Sequence, residues 1–213
     1  MNKLAFDKWS ASLSLVLMLL MASVTRSNAQ QSLEWGIKAG GNLMRISGRS
    51  FDGKKYPGFS AGVWGKLNFT SKWSLQPEIV WNQTIAKTSD EFNSIYGGVS
   101  QQLVNLNYAA IPIFVSFKPS PWLSILVGPQ YSYLVTQTTD LLQNPQDHGK
   151  KAFNHNDFSI VWGGQLNFNK VIFGLRYSAN LNNISFRPTD LWRQYGFQAY
   201  IGYQLGDFKL RKK

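Results

Sequence analysis

Four charged side chains, Lys38, Lys66, Glu78 and Arg176, stand in segments whose neighbouring alternate positions are small or uncharged. A carboxylate among three cations can be half of a buried ion pair, or a station for an ion or proton crossing a polar interior. A charge withdrawn from water must be paired or hydrogen-bonded. Glu78 with Lys38 or Arg176 is therefore expected to form an interior ion pair that plugs the space they face, with Lys66 in the same network. Other chemistry has less to draw on. A lipid-cleaving site would need a nucleophile, a base and an orienting acid within reach. The two histidines, His148 and His155, share one polar stretch and read as solvated loop residues. The chain has no Cys, no cluster at metal-ligand spacing and no Gly-rich phosphate loop followed by Lys and Ser or Thr. Neither an enzyme nor a bound cofactor is expected.

The elements that carry these charges read as β-strands. In WSLQPEIVWNQ, Trp73, Leu75, Pro77, Ile79 and Trp81 alternate with Ser74, Gln76, Glu78, Val80 and Asn82, the period of two that gives a strand one apolar and one polar face. Eight such segments occur, at roughly 33–43, 58–68, 73–83, 104–117, 122–136, 158–168, 171–181 and 194–205. The connections between them alternate strictly between long and short. An eight-stranded antiparallel up-and-down meander with every long loop at one end is the layout of a small transmembrane β-barrel with long extracellular loops and short periplasmic turns. A soluble eight-stranded barrel would instead show a charged face to water. Here the non-apolar faces are small and neutral, as with Ser124, Gly128, Gln130 and Ser132, which suits a narrow, filled lumen. Pro77, Pro112 and Pro129 each remove a ladder donor. They are expected to shape the wall, the last two almost opposite one another.

The ends and the aromatic residues agree with export to a membrane. Lys3 and Lys8 precede the apolar run Leu13 to Val24, and Ser27-Asn28-Ala29 completes the pattern of a cleaved signal peptide over 1–29. The run is short of the roughly 20 residues of a spanning helix. Trp35, Trp73 and Trp122 stand at periplasmic strand ends, while Trp81, Tyr131, Tyr133, Tyr177 and Tyr195 fall near the long loops, as two interfacial girdles would. The formal net charge of +11 resembles a nucleic-acid signal until it is placed on this topology. Lys72, Lys118 and Lys170 fall in the short turns, and Lys209, Arg211, Lys212 and Lys213 in the C-terminal tail. Such a periplasmic basic rim favours outer-membrane lipid headgroups or an acidic periplasmic protein over nucleic acid.

Six runs, GIKAGGNL, PGFSAGVWGKL, SLQPEIVW, NYAAIPIFVSFKP, ILVGPQYSYLV and LRYSANLNNIS, resemble the PorT-like outer-membrane barrels of Bacteroidetes-type bacteria, in the same order and over nearly all of the chain after the signal peptide. The resemblance implies an integral outer-membrane barrel over 30–205, followed by a basic tail over 206–213. Some members of that family are linked to protein secretion. The implied role is a non-catalytic scaffold or accessory of envelope or export machinery, with an export-complex partner. A surface-loop binder or adhesin is the alternative, and a narrow pore or lipid-modifying enzyme a further one. One departure is Ala110, where the family often carries Glu before Ile-Pro, so an interior ion pair that depends on that Glu is absent.

Overall fold

The computed structural model describes residues 32–96, 100–138, 152–186 and 191–209, with 94–96 described by backbone alone. The expected signal peptide, His148, Arg211, Lys212 and Lys213 lie outside the described residues. Eight strands form a closed barrel in sequence order: β1 (Ser32–Ser47), β2 (Tyr56–Asn68), β3 (Trp73–Lys87), β4 (Leu103–Ser120), β5 (Leu123–Gln137), β6 (Asn156–Phe168), β7 (Val171–Asn180) and β8 (Arg193–Lys209). All neighbours are antiparallel, and β1 pairs with β8 to close the ring. One short helix, α1 (Asp90–Tyr96), lies in the second long connection. No helix among the described residues is long and apolar enough to cross a membrane.

Alternation sorts the side chains as the two faces require. Outward residues such as Ile37, Val63, Ile79, Ile113, Ile125 and Leu175 are 44–62 % exposed. A continuous apolar belt of this kind on a closed barrel is a surface built for hydrocarbon rather than water. The inward faces carry Ser74, Gln76, Glu78, Ser124, Gln165, Arg176 and Ser178, all buried. The short turns follow local chemistry. Thr70 Oγ1 accepts from the backbone N–H of Trp73 at 2.9 Å, and Asn169 takes φ +53° in the two-residue link from β6 to β7, a conformation Asn tolerates well.

Most strands outrun their expected spans, chiefly at the long-loop end, while β7 ends one residue before its expected limit at 181. There the inner face changes character: Met44, Ile46, Ala86, Val104 and Leu106 are inward and apolar, so the contrast that marks a strand disappears. At the other end β8 continues past residue 205 through Lys209, which pairs with Ser32. The barrel boundary at 205 thus falls short, because a bulge opposite Trp35 and Gly36 interrupts the alternation.

The three prolines form one patch of ladder gaps. Pairing of β2 with β3 stops at Trp64–Glu78 and resumes at Leu67–Leu75, across Pro77. Between β3 and β4 it skips from Pro77–Ile113 to Val80–Ala110, across Pro112. Between β4 and β5 it skips from Pro112–Gln130 to Val115–Val127, across Pro129. Pro112 and Pro129 therefore sit one residue out of register. Each missing N–H opens the ladder on a single side, while the proline's other neighbour stays paired.

Candidate functional site

Glu78 projects inward from β3 and is buried. Its carboxylate receives Arg176 as a two-pronged fork, Nη1 to Oε2 and Nη2 to Oε1, both at 2.8 Å. Lys38 Nζ donates to Oε2, and Gln76 Nε2 donates to Oε1 at 2.8 Å. Both oxygens thus carry two donors each, which fills a carboxylate's accepting capacity. Arg176 is also sandwiched, its guanidinium carbon 4.3 Å from the Phe114 ring centroid and 4.4 Å from that of Tyr200. Lys38 Nζ lies 4.6 Å from the Tyr200 ring as well, so one aromatic ring serves both cations. Tyr200 Oη donates to Gln165 Oε1 at 2.9 Å. Gly174 makes room for that ring, because a Cβ there would overlap it.

Of the four expected interior charges, Lys38, Glu78 and Arg176 come together from β1, β3 and β7, and both cations take the carboxylate. Lys66 is buried on β2 but makes none of the Glu78 hydrogen bonds. It lies toward the periplasmic end, where Asn68 Nδ2 donates to Glu34 Oε1 at 2.7 Å and Lys118 Nζ donates to Asn68 Oδ1 at 3.1 Å. Tyr200 and Gln76 complete the cluster without having been singled out in the sequence. A tyrosine among glycines and glutamines on the polar face of the last segment was the available signal. Ala110 faces the lumen fully buried, beside Val80 and Ser132.

Above this cluster, described residues from each of the four long connections meet over the barrel mouth. Phe51, Phe92, Ala152, Phe153, Ile184 and Trp192 pack with Ile46, Val104, Leu106 and Leu134 in one buried apolar cluster. Trp192 is its centre, with ring centroids 4.9 Å from Phe51 and 5.0 Å from Phe153. The connections are zipped in pairs. Ser89 N donates to Ser50 O at 2.9 Å, and Asn154 N donates to Ile184 O at 2.9 Å. Short bridges join Phe51 to Thr88 and Phe153 to Ser185. His155 is no isolated loop residue either: its Nδ1 lies 2.9 Å from Leu134 O, and its ring stacks on Tyr133.

At the opposite end, Lys72 and Lys170 are exposed in short turns, Lys209 is exposed at the end of β8, and Lys118 is half-buried within β4. Lys118 N donates to Lys72 O at 2.8 Å, so Lys118, expected in a short turn, is instead held near the end of β4 against the turn that carries Lys72. Trp35, Trp73 and Trp122 point outward at this end, and Trp81 and Tyr133 outward nearer the other.

No curated protein sequence matches the chain. Among solved structures it is similar to Ail of Yersinia pestis, at 14% identity and a TM-score of 0.45 over 84% of this chain and 99% of that one. It is similar to Neisserial surface protein A at 12% identity and a TM-score of 0.47, over 82% of this chain and 97% of that one. It is also similar to OprG of Pseudomonas aeruginosa at 12% identity and a TM-score of 0.47, over 85% and 97%. Residues 28–185 match the outer membrane protein beta-barrel domain. The chain, an eight-stranded barrel integral to the outer membrane, belongs to that family.

Proposed function

We propose that this protein is a closed, non-catalytic barrel that works through its rims, with the basic periplasmic rim docking an acidic component of envelope or protein-export machinery. The observation that carries this reading is the filled lumen. It is crossed by the Glu78 cluster at one level and by the aromatic cap at another, which leaves surfaces rather than a channel as the working parts. Glu78 has no free accepting capacity with which to act as a general base. The PorT-like resemblance of the six sequence runs supports an export role, and the exposed lysines Lys72, Lys170 and Lys209 supply the charge such a partner would recognise. Lipid headgroups are the competing use of that rim, at about 1 kcal/mol per Lys or Arg near the surface.

Changing Lys209, Arg211, Lys212 and Lys213 to Gln separates these uses. Under the docking reading, crosslinks to a periplasmic partner and secretion are lost while the folded barrel remains in the outer membrane. Unchanged crosslinks, secretion and growth would reduce the rim to an anchor. A second reading, extracellular binding, is favoured by the way described residues of all four long connections are gathered into one cap. Neutralising the periplasmic rim would leave that activity intact.

A further inference from the structure

Between the Glu78 cluster and the aromatic cap lies a second polar group, which makes no bond to the ion pair and shares only Tyr108 with the cap. A cavity of about 10 Å³ is lined there by Asn42, Asn82, Tyr108, Asp157 and Gln194, among others, room for a single water-sized occupant. These five side chains come from β1, β3, β4, β6 and β8, and all are more than nine-tenths buried. Four of them hold a polar atom with no hydrogen-bond partner: Asn42 Oδ1, Asn82 Oδ1, Tyr108 Oη and Gln194 Oε1.

The orientation of the Asn42 amide follows from its other bonds. Asn42 Nδ2 donates to Phe59 O at 3.2 Å and to Gln83 O at 3.3 Å. Those acceptors are carbonyls, so the amide oxygen is the atom turned away from the wall. Gln194 Nε2 donates to Thr84 Oγ1 at 2.8 Å, leaving its oxygen unpartnered. Asp157 accepts from Ser159 Oγ at 2.9 Å and from Asn180 Nδ2 at 2.8 Å, both at Oδ1. It forms no ion pair among the described residues, and it is the one charged side chain in the cavity lining.

A buried carboxyl group beside several unpartnered amide oxygens is an unfavourable arrangement unless it takes up a proton or a positive centre sits among them. A water molecule has two hydrogens and the Tyr108 hydroxyl one, so together they would satisfy three acceptors and leave an ionised carboxylate uncompensated. We infer that this chamber binds one small monovalent cation, with the Asp157 carboxylate supplying the charge and the amide oxygens of Asn42, Asn82 and Gln194 the neutral ligands. The donors are hard oxygens without sulfur or imidazole, which does not suit a transition metal. A single carboxylate also falls short of the anionic ligand set usual for calcium. The occupant would tie four strands together just beneath the cap, where Asp157 follows Phe153 by four residues and Gln194 follows Trp192 by two.

The test is thermal unfolding of the full-length refolded barrel in sodium chloride and in N-methyl-D-glucamine chloride at equal ionic strength. The wild type should melt at a higher temperature in sodium, and the difference should vanish in Asp157→Asn. If Asp157→Asn does not fold, Asn82→Ala serves instead and should reduce the sodium-specific shift. Identical Tm values for the wild type in the two salts would mean that the chamber holds water alone and would overturn the inference. So would a sodium shift that persists undiminished in the variants that fold.

Discussion

At the scale of single residues, Glu78 is the group on which the interior electrostatics turn. It stands against two cations that are themselves buried, one of them pressed between Phe114 and Tyr200. Removing one partner from a buried pair leaves an uncompensated charge, whereas replacing the whole set with apolar side chains of similar volume is often neutral or stabilising. Glu78→Ala should therefore cost about 3–5 kcal/mol, read as a lowered urea midpoint of the folded barrel. The triple change of Lys38 to Met, Glu78 to Leu and Arg176 to Met should recover most of that loss. A Glu78→Ala loss below about 0.5 kcal/mol, the size of an exposed ion pair, would mean that the cluster is solvated and the lumen wet.

Among the elements, the long connections are where stability and closure are decided. Each contributes one or two apolar residues to a cluster that none could bury alone, and Trp192 touches most of them. Trp192→Ala should cost about 3–5 kcal/mol, the range for a large aromatic removed from a packed core, with the loss confined to the cap. Protease sites in the long connections should become cleavable while the barrel wall stays intact. Gly48 tests the same contact from the other side. Its φ is +154°, and an added Cβ would come 2.7 Å from Trp192 Cδ1. Gly48→Ala should therefore loosen the cap by about 1 kcal/mol or more. The prolines act at this scale too, concentrating three ladder gaps in β2 to β5 instead of spreading them around the ring.

For the whole molecule, closure of the ring matters most, because it leaves no strand edge to be satisfied by lipid. A barrel with every wall strand paired on both sides should resist SDS until heated. Boiled and unboiled samples should migrate differently on a gel, and equal mobility would contradict an intact barrel. Two transverse barriers in the lumen also predict that the wild type gives no ion-conducting steps in a planar bilayer. Conductance should appear only when both are breached, as in Trp192→Ala combined with the change of Lys38, Glu78 and Arg176 all to Ala. Steps from the wild-type barrel would return the narrow-pore reading to first place.

Much of this architecture was legible in the chain itself. Period-two alternation assigned the inward and outward faces of all eight strands, and Glu78, Lys38 and Arg176 were found on the inner face because they break a neutral pattern there. Alternation is a local property, however, and it says only which way a side chain points. Whether Glu78 takes Arg176, Lys38 or both depends on which inward residues a closed ring brings together. β3 and β7 are not ladder neighbours, and Glu78 and Arg176 meet across the lumen. The same limit hid the cap and the chamber around Asp157. Phe51, Phe92, Phe153 and Trp192 lie in four separate connections, each too polar and too short to read as core. Asn42, Asn82 and Gln194 read in sequence only as small polar residues on a lumen face. Sequence period determined the wall, while the pairing of buried charges and the convergence of the loops were decided only when the ring closed.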